Sequence, residues 1–254
     1  MPPLLLLVND DGIDSPFLPV FAAALSARAE VCTVVPSKEQ SWIGRAYNRH
    51  GKVEVGKKLD LDGVERYTVS GTPSDCVNIA LSHILNRPPA AVVSGLNIGQ
   101  NVAWPLLWSS GTFAAAAEGA AWGYPAFAFS LRLANKYYEA YRLRHSRVCG
   151  GLENIVKAAS AHAAEFVLEN LSKKSFADGE VLNVNYPEEY SREAPFKKCE
   201  PARVGLTRLY NKNAEGNFEF KYALGEIKKH KDITDLECLD SGAACWSSIN
   251  IYGA

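Results

Sequence analysis

Leu4-Leu5-Leu6-Leu7-Val8-Asn9-Asp10-Asp11-Gly12 opens the chain with an apolar run that ends in two adjacent carboxylates. Such a run is typical of a strand buried on both faces of a parallel sheet, and open α/β folds keep their chemistry at the carboxyl ends of these strands. Two neighbouring anions repel each other unless a cation or a proton intervenes. The stretch therefore predicts a strand followed by a divalent metal site, although an ordinary surface turn has the same composition.

Short β-rich runs alternate with helical segments along most of the chain. The predicted strands span residues 4–8, 31–35, 67–70, 91–94 and 126–130. The predicted helices span residues 17–28, 75–86, 112–122 and 152–171. This alternation predicts an α/β fold, a doubly wound three-layer sandwich around a mostly parallel sheet.

The pattern loosens beyond Pro187, where charged and Pro-punctuated sequence replaces the regular alternation. We predict a core at residues 1–187 and a C-terminal extension at residues 188–254, both within one single domain. The extension is expected to form a hairpin and to act as an oligomerisation arm. A hairpin that folds back on its own subunit explains the same pattern equally well.

Composition narrows the class of partner. The 254 residues include 27 Lys+Arg and 28 Asp+Glu, for a net charge of −1. Such a balance provides no general field to attract a nucleic acid duplex or an anionic membrane, so small or site-specific partners are expected. The sequence shows no export signal and no membrane span, which with reduced cysteines predicts a cytoplasmic protein.

The cysteines and histidines are dispersed. The six cysteines show no C-x-x-C spacing, and the five histidines form no H-x-x-x-H pair. These patterns predict buried thiols and not ligands, and they disfavour a zinc site built from nitrogen and sulfur. Any metal ion should therefore have oxygen ligands.

Three further polar segments follow predicted strands and can meet at one edge of the sheet. In residues 70–75, Thr72 and Asp75 fit a helix capping box. In residues 94–101, Asn97 offers an amide oxygen to a metal ion, or simply occupies a turn. In residues 109–112, a Ser-Gly-Thr sequence leads into a helix of small residues, whose free N–H groups suit a phosphate.

Other phosphate-site motifs are absent from the sequence. No G-x-x-x-x-G-K-[ST], G-x-S-x-G or G-x-G sequence occurs. Walker ATPase, serine hydrolase and Rossmann dehydrogenase functions are therefore disfavoured. Ser41, in the loop after the second predicted strand, reads from the residues alone as a solvated hydroxyl.

Four motifs occur in order: Asn-Asp-Asp-Gly, Ser-Gly-Thr-Pro-x-Asp-Cys-Val, Ser-Gly-x-Asn-x-Gly-x-Asn and Ser-Gly-Thr-x-x-Ala-Ala-x-Glu-Gly. Together they resemble the SurE family of survival-protein nucleotidases over about residues 4–187. The chain departs from the family pattern at Trp108-Ser109, where the family usually has Tyr, and one extra residue lies between Asn97 and Ser110. Trp42 also replaces a common Gly, and the tail 247–251 lacks the usual Thr-Pro-Leu.

The resemblance implies a Rossmann-like fold and a metal-dependent phosphatase, a 5'-nucleotidase that acts on nucleoside 5'- and 3'-monophosphates. It further implies short polyphosphate as a substrate of some members, one Mg²⁺ or Mn²⁺ ion, and a homodimer or homotetramer. The implied metal ligands are Asp10, Asp11, Ser41 and Asn97. The implied phosphate-binding residues are Asn9, Asn101, Ser110, Gly111 and Thr112.

Asp10 and Asp11 are the candidate catalytic residues, and either one could accept the proton of an attacking water. Two alternatives remain open at this point. One is a broad acid phosphatase or exopolyphosphatase. The other is a regulator that binds nucleotides without turning them over.

Overall fold

The computed structural model describes residues 2–142, 147–173, 175–221 and 223–253. Its strands in the first part of the chain are β1 (Leu4–Val8), β2 (Glu30–Pro36), β3 (Val55–Leu59), β4 (Glu65–Val69), β5 (Ala91–Ile98), β6 (Ala126–Leu131) and β7 (Glu180–Tyr186). The later strands are β8 (Phe196–Lys198), β9 (Val204–Leu206), β10 (Tyr210–Lys212), β11 (Phe218–Phe220), β12 (Leu224–Ile227) and β13 (Ala244–Asn250). The helices are α1 (Phe17–Ser26), α2 (Pro73–Ile79), α3 (Trp104–Leu107), α4 (Gly111–Ala121), α5 (Asn135–Arg142), α6 (Gly151–Lys173) and α7 (Asp235–Asp240).

Nine strands form one sheet in the order β3-β4-β2-β1-β5-β6-β7-β13-β8. The strands from β4 through β7 in this order are parallel, whereas β3 and β13 run antiparallel to β4 and β7. The chain winds outward from β1 to β2 and β4, and then returns to the other side of β1 with β5. The boundary between β1 and β5 is thus the topological switch point, where such sheets bind ligands.

Side chains of β1 alternate between two helical layers. Leu5 and Leu7 belong to the core beneath α1 and α6, whereas Leu6 and Val8 pack toward α2 and α4 on the opposite face. Small residues let α4 approach the sheet closely, since a Cβ built on Gly119 would lie 2.5 Å from the Cβ of Val92. The predicted three-layer α/β sandwich is confirmed, and all five predicted strands lie where the sequence placed them.

Some features of the fold differ from the sequence prediction. The edge strand β3 was not predicted, because all five of its residues are exposed and two are lysines. The predicted helix at residues 75–86 is α2 followed by a π-helical turn, Ala80–Ile84. Among the helices of the described chain, none combines the length and apolar character needed to cross a bilayer.

The C-terminal segment contributes to the main sheet. Strand β13 pairs antiparallel with β7, and β8 pairs with β13. Strands β10 and β11 form a hairpin, and β9 and β12 form a second two-stranded sheet. The division at residue 187 and the role of the extension as an oligomerisation arm remain predictions.

Burial differs among the six cysteines. Four are buried, as predicted: Cys76, Cys199, Cys238 and Cys245. The prediction is wrong for Cys149, which is exposed, and Cys32 is only partly buried. Cys149 lies in the irregular segment before α6.

Candidate active site

The turn after β1 is closed by Asn9. The Nδ2 of Asn9 donates to the carbonyl of Gly12 at 3.0 Å, and its Oδ1 accepts from the Gly12 N–H at 3.1 Å. Gly12 has a φ of +80°, a left-handed conformation that suits glycine. The side chain of Asn9 therefore holds the two aspartates at the strand end, and it is fully buried in doing so.

Asp10 lies against the beginning of α4. The Thr112 hydroxyl donates to Oδ1 of Asp10 at 2.5 Å. A Cβ built on Gly111 would lie 2.7 Å from the Cβ of Asp10 and 3.0 Å from its Oδ2, so only glycine permits this approach. Residues 102 positions apart thus form one corner of the candidate site.

Asp11 contacts the end of β5. Its Oδ2 accepts the Ile98 N–H at 3.1 Å. The neighbouring Asn97 donates its Nδ2 to the Ser130 hydroxyl at 3.0 Å, which fixes the rotation of its amide group. The structure therefore brings Asn97 to the same end of the sheet as the aspartates, as expected for neighbouring parallel strands.

The loop after β2 brings Ser41 to the same corner. The Gln40 N–H donates to the carbonyl of Asp10 at 2.8 Å, and Ser41 follows directly. Ser41 is exposed, and its hydroxyl donates to Oε1 of Glu39 at 2.5 Å. Sequence reasoning missed Glu39, a third carboxylate near the pair, whose only signal was its position two residues before Ser41.

Burial controls the charge of the aspartate pair. Desolvation raises the pKa of Asp10 from 3.8 to about 6, against the opposing hydrogen bonds from Thr112. Desolvation, followed by the charge of Asp10, raises the pKa of Asp11 well above its usual range, and Glu39 adds to both shifts. Two adjacent carboxylates that resist ionisation, with hydroxyl and amide oxygens nearby, form a donor set that fits a hard divalent cation.

Ser110 caps helix α4. Its Oγ accepts the Phe113 N–H at 3.0 Å and donates to Oδ1 of Asn101 at 2.7 Å. The cap is therefore Ser110 and not Ser109, so the extra residue of this chain lies before the helix and leaves the Ser-Gly-Thr start intact.

Asn101 is held by its backbone and offers a spare donor. Its carbonyl accepts from the side chains of Asn183 and Asn185 at 2.8 and 2.9 Å, and its N–H donates to Oδ1 of Asn185 at 2.8 Å. Its Nδ2 is buried and finds no hydrogen-bond partner among the described residues. An unsatisfied buried donor is costly, and one beside a helix N-terminus fits an anionic ligand oxygen.

Residues 5–215 match the sequence profile described as "Survival protein SurE". This chain belongs to the SurE family. It is 35% identical over 236 residues to the "5'-nucleotidase SurE" of Methanococcus vannielii, covering 91% of this chain and 86% of that protein. It is 34% identical over 184 residues to that of Alkalilimnicola ehrlichii, covering 72% of this chain and only 63% of that protein, less than two thirds of its length.

A solved structure shares the architecture of this SurE-family chain. The crystal structure of the SurE protein from Aquifex aeolicus superposes with a TM-score of 0.70 at 26% identity. The alignment covers 98% of this chain and 93% of that one. The family and the fold expected from the four motifs are both confirmed.

An ion pair between Arg45 and the buried Glu118 fixes the loop that carries Ser41 in this SurE-family chain. We call this loop, residues 37–54 between β2 and β3, the site loop. Arg45 donates from Nε and Nη2 to Oε2 of Glu118 in α4, at 3.0 and 2.8 Å, and Tyr47 donates to the same oxygen. Burial raises the pKa of Glu118, but the hydrogen bonds from Tyr47 and Arg45 outweigh it and leave the pKa lowered. Arg45 lies four residues after Ser41, so this contact fixes the loop against the helix.

The capping box predicted at residues 72–75 is also present. Thr72 accepts from the Asp75 N–H, and the Asp75 side chain accepts from the Thr72 N–H. Asp75 further accepts the Asn48 N–H at 3.1 Å. The two residues therefore cap α2 and hold the end of the site loop.

The aromatic residues of this SurE-family chain pack on one another. Trp104 stacks on Trp108 with ring centroids 6.1 Å apart, and Trp108 meets Phe113 edge-on at 6.0 Å. Trp42 contacts Phe220 of the C-terminal hairpin at 4.9 Å. Packing accounts for these contacts, while Trp42 and Trp108 keep 44% and 56% of their surface exposed near the candidate site.

Proposed function

We propose that this protein is a metal-dependent phosphatase that hydrolyses nucleoside 5'- and 3'-monophosphates to nucleoside and phosphate. The observation that carries the proposal is the adjacent Asp10–Asp11 pair at the switch point, with Asp10 buried and in contact with the beginning of α4. The name 5'-nucleotidase SurE, borne by the relatives, supports the same activity.

One divalent ion, Mg²⁺ or Mn²⁺, would be held by Asp10, Asp11, Ser41 and Asn97. Carboxylate, hydroxyl and amide oxygens are the donors that such ions prefer. When bound, the ion supplies Lewis-acid polarisation of a phosphoryl oxygen and lowers the pKa of a water nucleophile. The Thr112 hydroxyl would keep the Asp10 carboxylate in one orientation, because it donates to Oδ1.

The remaining residues would bind the phosphate and stabilise its negative charge. The first N–H groups of α4, at Gly111 and Thr112, and the helix dipole favour an anion at this end. Asn101 would donate its unpaired Nδ2, with Ser110 holding its amide. Either Asp10 or Asp11 accepts the proton of the attacking water, and the helix end stabilises charge on the equatorial oxygens.

The test is phosphate release from a panel of nucleoside 5'- and 3'-monophosphates with Mg²⁺, Mn²⁺ or a chelator. We expect metal-dependent release that Asp11→Asn lowers by about 100-fold or more. Asp14→Asn is the matched control, because Asp14 is exposed three residues downstream. Release that ignores both the chelator and Asp11→Asn would contradict the proposal.

Short polyphosphate belongs in the same panel, because the residues proposed to bind the phosphate do not require a nucleobase in the substrate. Release from polyphosphate faster than from every nucleotide would favour an exopolyphosphatase instead. Nucleotide binding without release under any metal would favour a regulator.

We further propose a homodimer or homotetramer in the cytoplasm. The hairpin β10–β11 exposes three aromatic side chains, Tyr210, Phe218 and Phe220, which supports a contact with a second copy. All six cysteines are free, which is the state expected in a reducing compartment.

A further inference from the structure

Three buried cysteines meet away from the aspartate site. The sulfur atoms of Cys199, Cys238 and Cys245 all lie within 4.8 Å of one another. All three residues are at most 5% exposed. They lie in a small core made by the C-terminal segment together with Val102 and Ala103. We call them the thiol cluster.

The register of the sheet explains how the cluster forms. Cys245 pairs with Lys197 across β13 and β8, so Cys199, two residues after Lys197, lies on the same face of the sheet as Cys245. Helix α7 covers that face and supplies Cys238. Three separate segments therefore direct one sulfur each to a common point.

Within the described part of the chain, the ligand atoms that meet at this point are all sulfur. Among the described residues, no histidine or carboxylate joins the three sulfurs. Asp235, the buried acid at the start of α7, has both oxygens occupied by the N–H groups of Ala202, Leu236 and Ala103. Hard cations such as Mg²⁺ and Mn²⁺ are thereby disfavoured, because they prefer oxygen ligands.

We propose that the thiol cluster is a structural site for a soft monovalent metal ion, Cu(I), bound by three thiolates. Sulfurs that share an ion at about 2.3 Å lie about 4 Å from one another, so the cluster is within about 1 Å of the bound arrangement. Structural Zn²⁺ takes four protein ligands, whereas the cluster provides three sulfur ligands and is surrounded by apolar side chains. Thiolates select Cu(I) and do not demand a fourth ligand.

The expected consequence is a more stable C-terminal extension. Ala103 belongs to the same small core, and its N–H donates to Asp235 at 2.8 Å. An ion bound by Cys199, Cys238 and Cys245 would fasten α7, β13 and the end of β8 together. Loaded protein should therefore unfold at a higher temperature than metal-free protein.

The test is an anaerobic titration of the full chain with Cu(I) supplied from its bicinchoninate complex. The starting protein carries Cys32→Ser, Cys76→Ser and Cys149→Ser, which removes the other three thiols. We expect one Cu(I) per chain, and X-ray absorption should show three sulfur neighbours. Adding Cys238→Ser or Cys245→Ser should weaken binding by more than the ~10- to 100-fold typical of losing an outer-sphere partner.

Several results would overturn the site. The proposal fails if Cu(I) does not transfer from bicinchoninate to the protein, or if Cys238→Ser and Cys245→Ser leave Cu(I) binding unchanged. It also fails if Zn²⁺ displaces Cu(I). A disulfide within the cluster in protein purified under reducing conditions would also exclude it. Because X-ray absorption and thermal unfolding can be measured on protein with all six cysteines, a poorly folding variant does not remove the test.

Discussion

A buried pair of carboxylates weakens a fold unless a proton or a cation accompanies it. Asp10 is buried and Asp11 is partly buried beside it, and desolvation raises the pKa of each. The residues that suit a metal ion are thus the residues that destabilise the metal-free protein. Function and stability should oppose each other at these two positions.

The first prediction concerns the pH dependence of the metal-free protein. The pKa of Asp10 is about 6 in the folded state against 3.8 for an ordinary Asp, so the folded state holds this proton more tightly. Stability from this group is present below pH 4 and is lost as pH rises toward 7, by up to about 3 kcal/mol. Urea unfolding in chelator should show this fall in wild type and a smaller one in Asp10→Asn, which should be the more stable protein at pH 7. Equal slopes in both proteins would contradict the assignment.

A second prediction separates the hydroxyl of Thr112 from its volume. Thr112→Val removes the hydrogen bond to Asp10 and keeps the shape, whereas Thr112→Ser keeps the hydroxyl. A hydrogen bond to a charged group contributes about 1.5–3 kcal/mol, so we expect Thr112→Val to lower kcat/KM by about 10- to 100-fold. Thr112→Ser should retain most of the activity, and a comparable loss in both variants would point to packing instead.

The sequence identified Asp10 and Asp11 because two adjacent acids after an apolar run are chemically unusual. It could not identify the bond between Thr112 and Asp10, because it joins positions 102 residues apart. The resemblance placed Thr112 near the phosphate, which stays a prediction, and its hydroxyl also donates to the Asp10 carboxylate. Glu39 escaped notice because an acid in an exposed loop has no distinguishing pattern.

At the scale of elements, helix α4 connects the site to the sheet. Its first residues contact Asp10, its last turn packs on β5 through Gly119 and Val92, and Glu118 holds the loop that carries Ser41. Local sequence predicted the helix and its small residues. The role of Glu118 required the loop to be seen in place, because Arg45 is 73 residues away.

The start of α4 gives a third prediction. Gly111→Ala should favour the helix by local propensity, but its Cβ would be 2.7 Å from that of Asp10. We expect activity to fall at least about 10-fold, because a displaced carboxylate misplaces the reacting groups. Gly56→Ala in β3 is the control, since its Cβ meets only a Thr68 hydroxyl at 3.6 Å. Retained activity in Gly111→Ala would show that Asp10 tolerates the shift.

The loop anchor gives a fourth prediction. Glu118→Gln removes the charge that Arg45 pairs with, and the Glu118 side chain is only 2% exposed. Since Arg45 is 44% exposed and regains water, we expect a loss of about 1–2 kcal/mol in unfolding free energy and a raised KM. Arg87→Gln, which breaks the exposed pair with Glu30, should change stability by under about 0.5 kcal/mol. Similar effects of the two substitutions would argue against a special role for the anchor.

At the scale of the whole molecule, the fold class follows from the alternation of strands and helices. The buried strands were predictable because apolar runs mark them. Strand β3 was not, because an exposed edge strand carries no apolar signal. The thiol cluster was also unpredictable, since its cysteines are separated in sequence and only the β13–β8 register brings two of them to one face.

The fifth prediction concerns assembly. If the β10–β11 hairpin contacts a second copy, Phe218→Ser should lower the solution mass from dimer or tetramer toward monomer, because Phe218 is 68% exposed and contributes apolar surface. Light scattering after gel filtration measures this. Tyr138→Ser, at a 49% exposed position in α5, is the control. A monomeric wild type, or a Phe218→Ser protein of unchanged mass, would contradict the oligomerisation role of this hairpin.

The pairing of β13 with β7 also bears on how the protein is made. On the ribosome, β7 emerges with one edge unpaired, and about 60 further residues must be translated before β13 can cover it. At elongation rates of about 5–20 residues per second, the delay is on the order of 3–12 s. Throughout it a nascent sheet exposes an open β edge, so chaperone binding and misassembly between neighbouring nascent chains should concentrate in that interval.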